Sequence, residues 1–392
     1  MNILVITTFY PQLNRKDLIQ DTSVVHYFAK EWIKQNHNVD VIHLYAHNLK
    51  NVLKYKPLVY GEFQEKKIVD GINVHLMENQ FWIKNAKHYL YFQQKNISNK
   101  INEYFEKKMK DYKPDIILVH FPSHFIGIVE NLKFECRKVA ICHMTDVRAI
   151  TKSSKIRKKL EATYDKFAAR SICIKKQIED KGIKVEFIAN SGIDCENIVS
   201  TDYIENKVNL NKDKRLQILY AGSFLKRKNV DKIIKALGII FKELDFEFTI
   251  IGDGKRKNKL IKLAKNNNIL DKCNFIGRKN REDVLNYMRK SDLFIMISER
   301  ETLGLTYLEA MSQGTIVIGS KNEGIDGIII DKKNGFLVNS KSCEELSQKI
   351  LDVSKLESFE KEKIMNNAIL TIKNLTSEKV AKDYLMEALK KD

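Results

Sequence analysis

At 392 residues and 43% hydrophobic content, the chain is long enough for two domains, each with its own core. No run approaches the roughly 18 apolar residues of a membrane span. The six cysteines form no CxxC pair, which argues against a zinc cluster or a disulfide framework and for a reducing compartment. The formal net charge of +18 leaves two readings: an anionic partner, nucleic acid or a membrane surface, or lysine simply filling exposed positions.

The first half alternates apolar runs with helical patterns. Residues 1–7 (MNILVIT) are too short and too uncharged at their start for a signal peptide, and 3–7 read as a first strand. The loop 9–23 (FYPQLNRKDLIQDTS) is followed by an amphipathic helix over 24–35 and a second strand over 39–44. Further strands are expected at 115–120 (DIILVH), 138–143 (KVAICH), 172–174 and 185–188. Two basic segments lie in this half. Residues 84–113 interleave Tyr89, Tyr91, Phe92, Tyr104 and Phe105 with lysines, and 152–170 carry Lys152, Lys155, Arg157, Lys158 and Lys159. A basic amphipathic surface suits an anionic membrane; a core-packed helix with a solvated charged face accounts for it equally.

A polar, irregular boundary is expected over 194–214. The second half then repeats the rhythm more clearly. Its strands are expected at 216–221, 246–251, 274–276, 293–297 and 316–319, with helices between them, for example over 230–244 and 281–289. A last helical pattern runs over 377–391. Strands and helices at this spacing imply right-handed βαβ units and a parallel sheet in each half. In such sheets ligands bind beyond the carboxyl ends of the strands. All nine histidines lie between His26 and His143, so polar chemistry in the second half must come from Asp, Glu, Lys, Arg or backbone groups.

The most informative run is 298–311 (SERETLGLTYLEAM), which places Glu301 and Glu309 around a strand-loop-helix junction. Leu305, Leu308 and Met311 recur at helical spacing, and Gly314 sits where a helix ends. A helix N-terminus offers N–H groups and positive dipole charge to a phosphate. Glu301 would lie on the loop beside it, near an attached sugar, and Glu309 could accept hydrogen bonds from both hydroxyls of a ribose. The competing reading is two solvated carboxylates.

This run resembles the signature of family 4 glycosyltransferases, in which a Glu stands eight residues before a second Glu followed by Ala-Met. Other segments resemble that family in order. They are 220–231 (YAGSFLKRKNVD), with Lys228 at the diphosphate-binding lysine; Ile251-Gly252-Asp253-Gly254 at a strand end; and Ile188 to Asp194 at the interdomain turn. Asn334 to Val338 resembles the last strand, and His143 the histidine at a first-domain strand end. The resemblance implies the α/β GT-B fold, two Rossmann-like domains facing a cleft. An acceptor domain would span 1–195, a nucleotide-sugar domain 196–375, and a helix over 376–392 would cross back to the first.

The same resemblance implies roles for single residues. Glu301, His143 and Lys228 would be catalytic. Gly222, Ser223, Arg227, Lys228, Leu303, Gly304, Leu305, Thr306 and Glu309 would bind the donor. Transfer would be retaining, without metal or cofactor, since a positioned lysine and helix N–H groups can meet the leaving-group charge. The partners would be a nucleotide-sugar, a glycan or lipid-linked glycan acceptor and an anionic membrane surface, with no nucleic acid, on the cytoplasmic side of the plasma membrane in surface polysaccharide synthesis. The chain departs from the family at Ser223, where an Arg commonly shares the diphosphate, so Lys226 or Arg227 would compensate. It also departs at Asp21, near an expected glycine, at Thr315 in place of proline, and at Asn322-Glu323-Gly324 in place of paired glycines. Rival readings are another GT-B activity such as a nucleotide-sugar epimerase, a basic nucleic-acid-binding protein, and a catalytically silent partner subunit.

Overall fold

The computed structural model describes residues 1–10, 24–47, 62–63, 66–80, 91–108, 112–210 and 215–391. Asp21 with most of its loop, and residues 84–90 of the basic segment, lie outside that set. The chain forms two units. The first comprises Met1–Arg170, Ile174–Ala189 and Val380–Asp392, and the second Ser171–Cys173 and Asn190–Lys379. The division at Ala189 falls earlier than the expected 195, and the C-terminal segment joins the first unit from Val380 rather than from 376.

Among the described residues the first unit has eight strands: β1 (Asn2–Thr7), β2 (Asn38–His47), β3 (Lys67–Val69), β4 (Ile72–Gln80), β5 (Ile116–His120), β6 (Arg137–Cys142), β7 (Lys166–Ala169) and β8 (Phe187–Ile188). Their order is β3-β4-β2-β1-β5-β6-β7-β8, parallel throughout except for the β3–β4 pair. β1 and β5 are buried on both faces, which is why each reads as a continuous apolar run rather than an alternation. The C-terminal helix Ser377–Leu389 buries Val380, Ala381, Tyr384, Leu385 and Ala388, a stripe at helical spacing. Within this unit the Trp32 indole N–H donates to Ala381 O at 2.9 Å, and Phe28 meets Tyr384 edge-on at 5.1 Å.

The second unit has six strands among its described residues: β9 (Leu216–Ala221), β10 (Phe246–Ile251), β11 (Cys273–Gly277), β12 (Leu293–Ile295), β13 (Ile316–Ser320) and β14 (Phe336–Val338). Their order, β11-β10-β9-β12-β13-β14, is the doubly wound one, all parallel, and its direction switches between β9 and β12.

Three expectations need correction. Residues 172–174 open a helix, Ile172–Glu179, because the pattern continues to Ile178 and buries Ile174 with it. The boundary is only partly irregular: within it Thr201–Leu210 is a helix that buries Ile204, Lys207 and Val208 at i, i+3, i+4. The strands β3, β4 and β7 have no counterpart among the expected ones; Lys66 and Lys67 interrupt the apolar signal of the first, and β7 (KFAA) is too short to read. Among the described residues no helix is long and apolar enough to cross a membrane.

Candidate active site

Two strand ends make the floor of the site in the second unit. β9 ends at Ala221 and β10 at Ile251, each followed by a glycine with positive φ, 159° at Gly222 and 140° at Gly252. A Cβ on Gly252 would lie 1.9 Å from Gly222 O, so only glycine lets the two turns run backbone against backbone. Gly222 N–H donates to Ile251 O at 3.0 Å and Phe224 N–H to Asp253 O at 3.0 Å, locking that approach. The strand end at Gly252 is therefore part of the site's floor.

A 3₁₀ turn, Lys226–Lys228, follows and hands over to the helix Val230–Ile240 through Asn229, which is left-handed at φ 52°. Asn229 tolerates that conformation and anchors it, donating from Nδ2 to Ile297 O at 2.9 Å and Glu299 Oε1 at 3.2 Å. Glu299 N–H in turn donates to Arg227 O at 2.7 Å. The loops after β9 and β12 are thus stitched together at the switch point of the sheet.

There the charged groups converge. Glu301 Oε2 accepts from Lys228 Nζ at 2.5 Å and from Arg227 Nη1 at 3.1 Å. Burial would raise the Glu301 carboxyl, but the charges and hydrogen bonds of Lys228 and Arg227 override it and hold it below its ordinary value. Lys228 is buried and Lys226 exposed, and Ser223 is exposed as well. Of the two cations expected to make up for Ser223, Arg227 is the one brought to Glu301. Glu301 N–H donates to Glu323 Oε2 at 3.0 Å, and burial raises the Glu323 carboxyl. A Cβ on Gly324 would lie 2.4 Å from Thr302 O, so this single glycine, where a pair was expected, lets the Glu301 loop pack on residues 322–324.

Gly304, at φ 86°, caps the helix Leu305–Ser312, and a Cβ there would strike the Tyr307 ring at 2.6 Å. Gly314 follows the helix end at φ 63°. Leu303 is buried, Tyr307 is core, and its hydroxyl donates to Met296 O at 2.5 Å. Glu309, one turn along, accepts from Arg281 Nε at 2.9 Å. A pocket of about 330 Å³ opens over these elements, lined among others by Gly222, Ser223, Asp253, Arg281, Thr306 and Glu309.

His143 lies in the first unit. It begins the helix Met144–Lys152 just past β6, and its N–H donates to Asp146 Oδ2 at 2.7 Å. Burial, against opposing hydrogen bonds from Ser123 and His143, raises the Asp146 carboxyl to about 6. The His143 ring is buried and stacked on Phe121, with centroids 3.8 Å apart. Its Nε2 is 3.1 Å from His120 Nδ1, and His120 Nε2 is 3.4 Å from the Tyr384 hydroxyl. Burial pushes both imidazoles well below their ordinary value, with the Arg170 charge acting in the same direction.

The structure therefore gathers Arg227, Lys228 and Glu301, and around one pocket Gly222, Ser223, Thr306 and Glu309, with Gly304 and Leu305 opening the helix beside them. Arg281, Asp253, Glu323 and His120 were not assigned from the sequence. The rule that ligands lie beyond strand ends could have found Arg281, which stands four residues past β11.

Residues 202–371 match the family described as Glycosyl transferases group 1. An uncharacterized glycosyltransferase of Methanocaldococcus jannaschii is 28% identical over 330 residues, 82% of this chain and 86% of that protein. Alpha-monoglucosyldiacylglycerol synthase of Acholeplasma laidlawii is 26% identical over 275 residues, 64% of this chain and 69% of that protein. Among solved structures, sucrose-phosphate synthase from Thermosynechococcus elongatus superposes with a TM-score of 0.73 at 15% identity, covering 98% of this chain and 97% of that one, a likeness of fold.

Proposed function

Because the chain is a glycosyltransferase of the GT-B fold carrying a group 1 domain, we propose that it moves a sugar from a nucleotide-sugar donor to a lipid-linked glycan acceptor. Transfer retains the anomeric configuration and serves surface polysaccharide assembly. The observation that carries the reading is the meeting of Lys228 and Arg227 on Glu301 beside the pocket of Glu309.

In the reaction the anomeric C–O bond to the diphosphate breaks and the acceptor oxygen bonds to the anomeric carbon. The acceptor proton leaves on the diphosphate. Negative charge grows on that leaving group, and Lys228 and Arg227 meet it in a largely buried setting, without a metal. Glu301, held ionised, faces the sugar where positive charge develops. Glu309 accepts from the ribose hydroxyls. His143 serves as a neutral imidazole toward a sugar hydroxyl.

The acceptor class draws support from the Acholeplasma relative, whose name places a glucose on a diacylglycerol. Lys152, Lys155 and Lys158 are exposed on consecutive helices and suit an anionic bilayer on the cytoplasmic side. The test is a thermal-shift screen against nucleoside diphosphates and their sugars, followed by labelled transfer into a lipid fraction with and without EDTA. The expected result is one preferred donor and chelator-resistant labelling of lipid. An isomerised donor with no labelled acceptor marks an epimerase instead. Loss of labelling with EDTA, restored by magnesium, overturns the metal-free step.

A further inference from the structure

Glu309 stands at one end of a polar series that helical periodicity does not mark. Arg281 Nε–H donates to Glu309 Oε1 at 2.9 Å, and Arg281 Nη1 lies 3.4 Å from Asp194 Oδ2. The other oxygen of Asp194, Oδ1, accepts from the Ser377 hydroxyl at 2.8 Å. Asp194 closes the segment by which the chain enters the second unit, and Ser377 opens the helix by which it leaves. Those two segments are bound side by side. Ile193 N–H donates to Leu375 O and Ser377 N–H to Ile193 O, both at 2.9 Å. A Cβ on Gly192 would lie 2.5 Å from Ser377 Cα, so glycine is needed for this approach.

We propose that Arg281 is a positioning residue for the donor: it fixes the Glu309 carboxylate for the ribose, and Asp194, braced by Ser377, holds Arg281 in that orientation. The inference rests on Glu309 being the ribose acceptor. A guanidinium is planar, so two carboxylates on different elements set its plane, and through Nε it sets the Glu309 carboxylate. The Arg281 side chain is 37% exposed, so the pair adds little to stability and its effect lies in orientation. Arg281 follows the cap residue Asn280 at the start of the helix Arg281–Lys290, a rigid base for such a brace.

The test measures donor KM, kcat, nucleoside diphosphate affinity by calorimetry, and Tm on the full chain. Arg281→Ala is expected to raise donor KM and diphosphate Kd roughly tenfold, the range of a lost charged hydrogen bond, with kcat and Tm nearly unchanged. Arg281→Lys, which keeps charge but not the fork, restores only part. Ser377→Ala should raise Kd about threefold and add nothing on top of Arg281→Ala, as expected for members of one network. Should Arg281→Ala not fold, Arg281→Gln carries the same expectation. If Glu309→Gln weakens binding while the Arg281 variants bind normally or more tightly, Arg281 is a bystander or a competitor and the proposal is overturned alone. A fall in Tm with unchanged Kd makes the pair structural and overturns it too. If Glu309→Gln binds the diphosphate normally, the ribose reading fails and takes the proposal with it.

Discussion

The two units place opposite chemistries at equivalent points of similar sheets. Both have a strand order that reverses direction, between β1 and β5 in the first unit and between β9 and β12 in the second. In the second, the strand ends beside that point carry ions: Lys228, Arg227 and Glu301 share one oxygen, and Glu309 is paired with Arg281. In the first, His120 ends β5 and His143 follows β6, packed on Phe121 and the Tyr384 hydroxyl. Burial works against the Glu301 charge, which persists because Lys228 and Arg227 touch it; burial itself disfavours charge on the two imidazoles, with Arg170 acting in the same direction. The same architecture thus yields a charged centre in one unit and a neutral one in the other.

The largest expected effect tests the charged centre. Lys228→Ala should lower kcat by about 10²–10³-fold, the scale of a preorganised charge at a leaving group, and weaken diphosphate binding; wild-type turnover would place the charge elsewhere. Next, the two glutamates should separate. Glu301→Gln should lower kcat by about 10²-fold with diphosphate affinity retained, and Glu309→Gln should raise donor KM about tenfold with kcat retained. Steady-state kinetics and calorimetry on both variants decide it, and few-fold changes in both would make them solvated carboxylates. Gly252→Ala, whose Cβ would meet Gly222 O at 1.9 Å, should cost about 1–3 kcal/mol by overpacking and loosen the turns under the pocket, measured by denaturant unfolding.

The smallest effect tests the neutral centre. The folded values of His120 and His143 lie below the unfolded one, so the unfolded chain binds protons first as pH falls. Their stability contribution is complete above the unfolded value of about 6.5 and is lost as pH drops toward the folded values. Between pH 6.5 and 5.5 each should cost about 1 kcal/mol, and His120→Phe should flatten the pH dependence by one such share. An unchanged slope in that variant would mean that His120 already titrates in the folded chain.

Much of this was readable where a signal is local. Continuous apolar runs marked β1, β5, β6, β9 and β13, because parallel strands buried on both faces need them. The strand-loop-helix junction drew attention to Glu301 and Glu309 for the same reason. Arg281 escaped because an exposed arginine at a helix start carries no mark of the carboxylates it will meet 28 and 87 residues away. His120 was legible as a strand end but not as a partner of His143, since that contact depends on the packing of β5 on β6. Thr201–Leu210 was hidden by its polar composition, although Ile204 and Val208 are four apart.

The pairing of Trp32 with Ala381 has a bearing on biosynthesis. The indole N–H of Trp32 finds its acceptor 349 residues later, on a helix made after the whole of the second unit. On the ribosome, residues 190–379 can complete their sheet while the first unit still lacks the helix that covers Phe28, Trp32 and His120. Completion of the first unit therefore waits on a segment that follows residues 190–379 along the chain, whereas domains usually fold in the order of their synthesis. Until then an apolar face bearing Trp32 waits uncovered on the nascent chain, the moment at which a chaperone has most to protect.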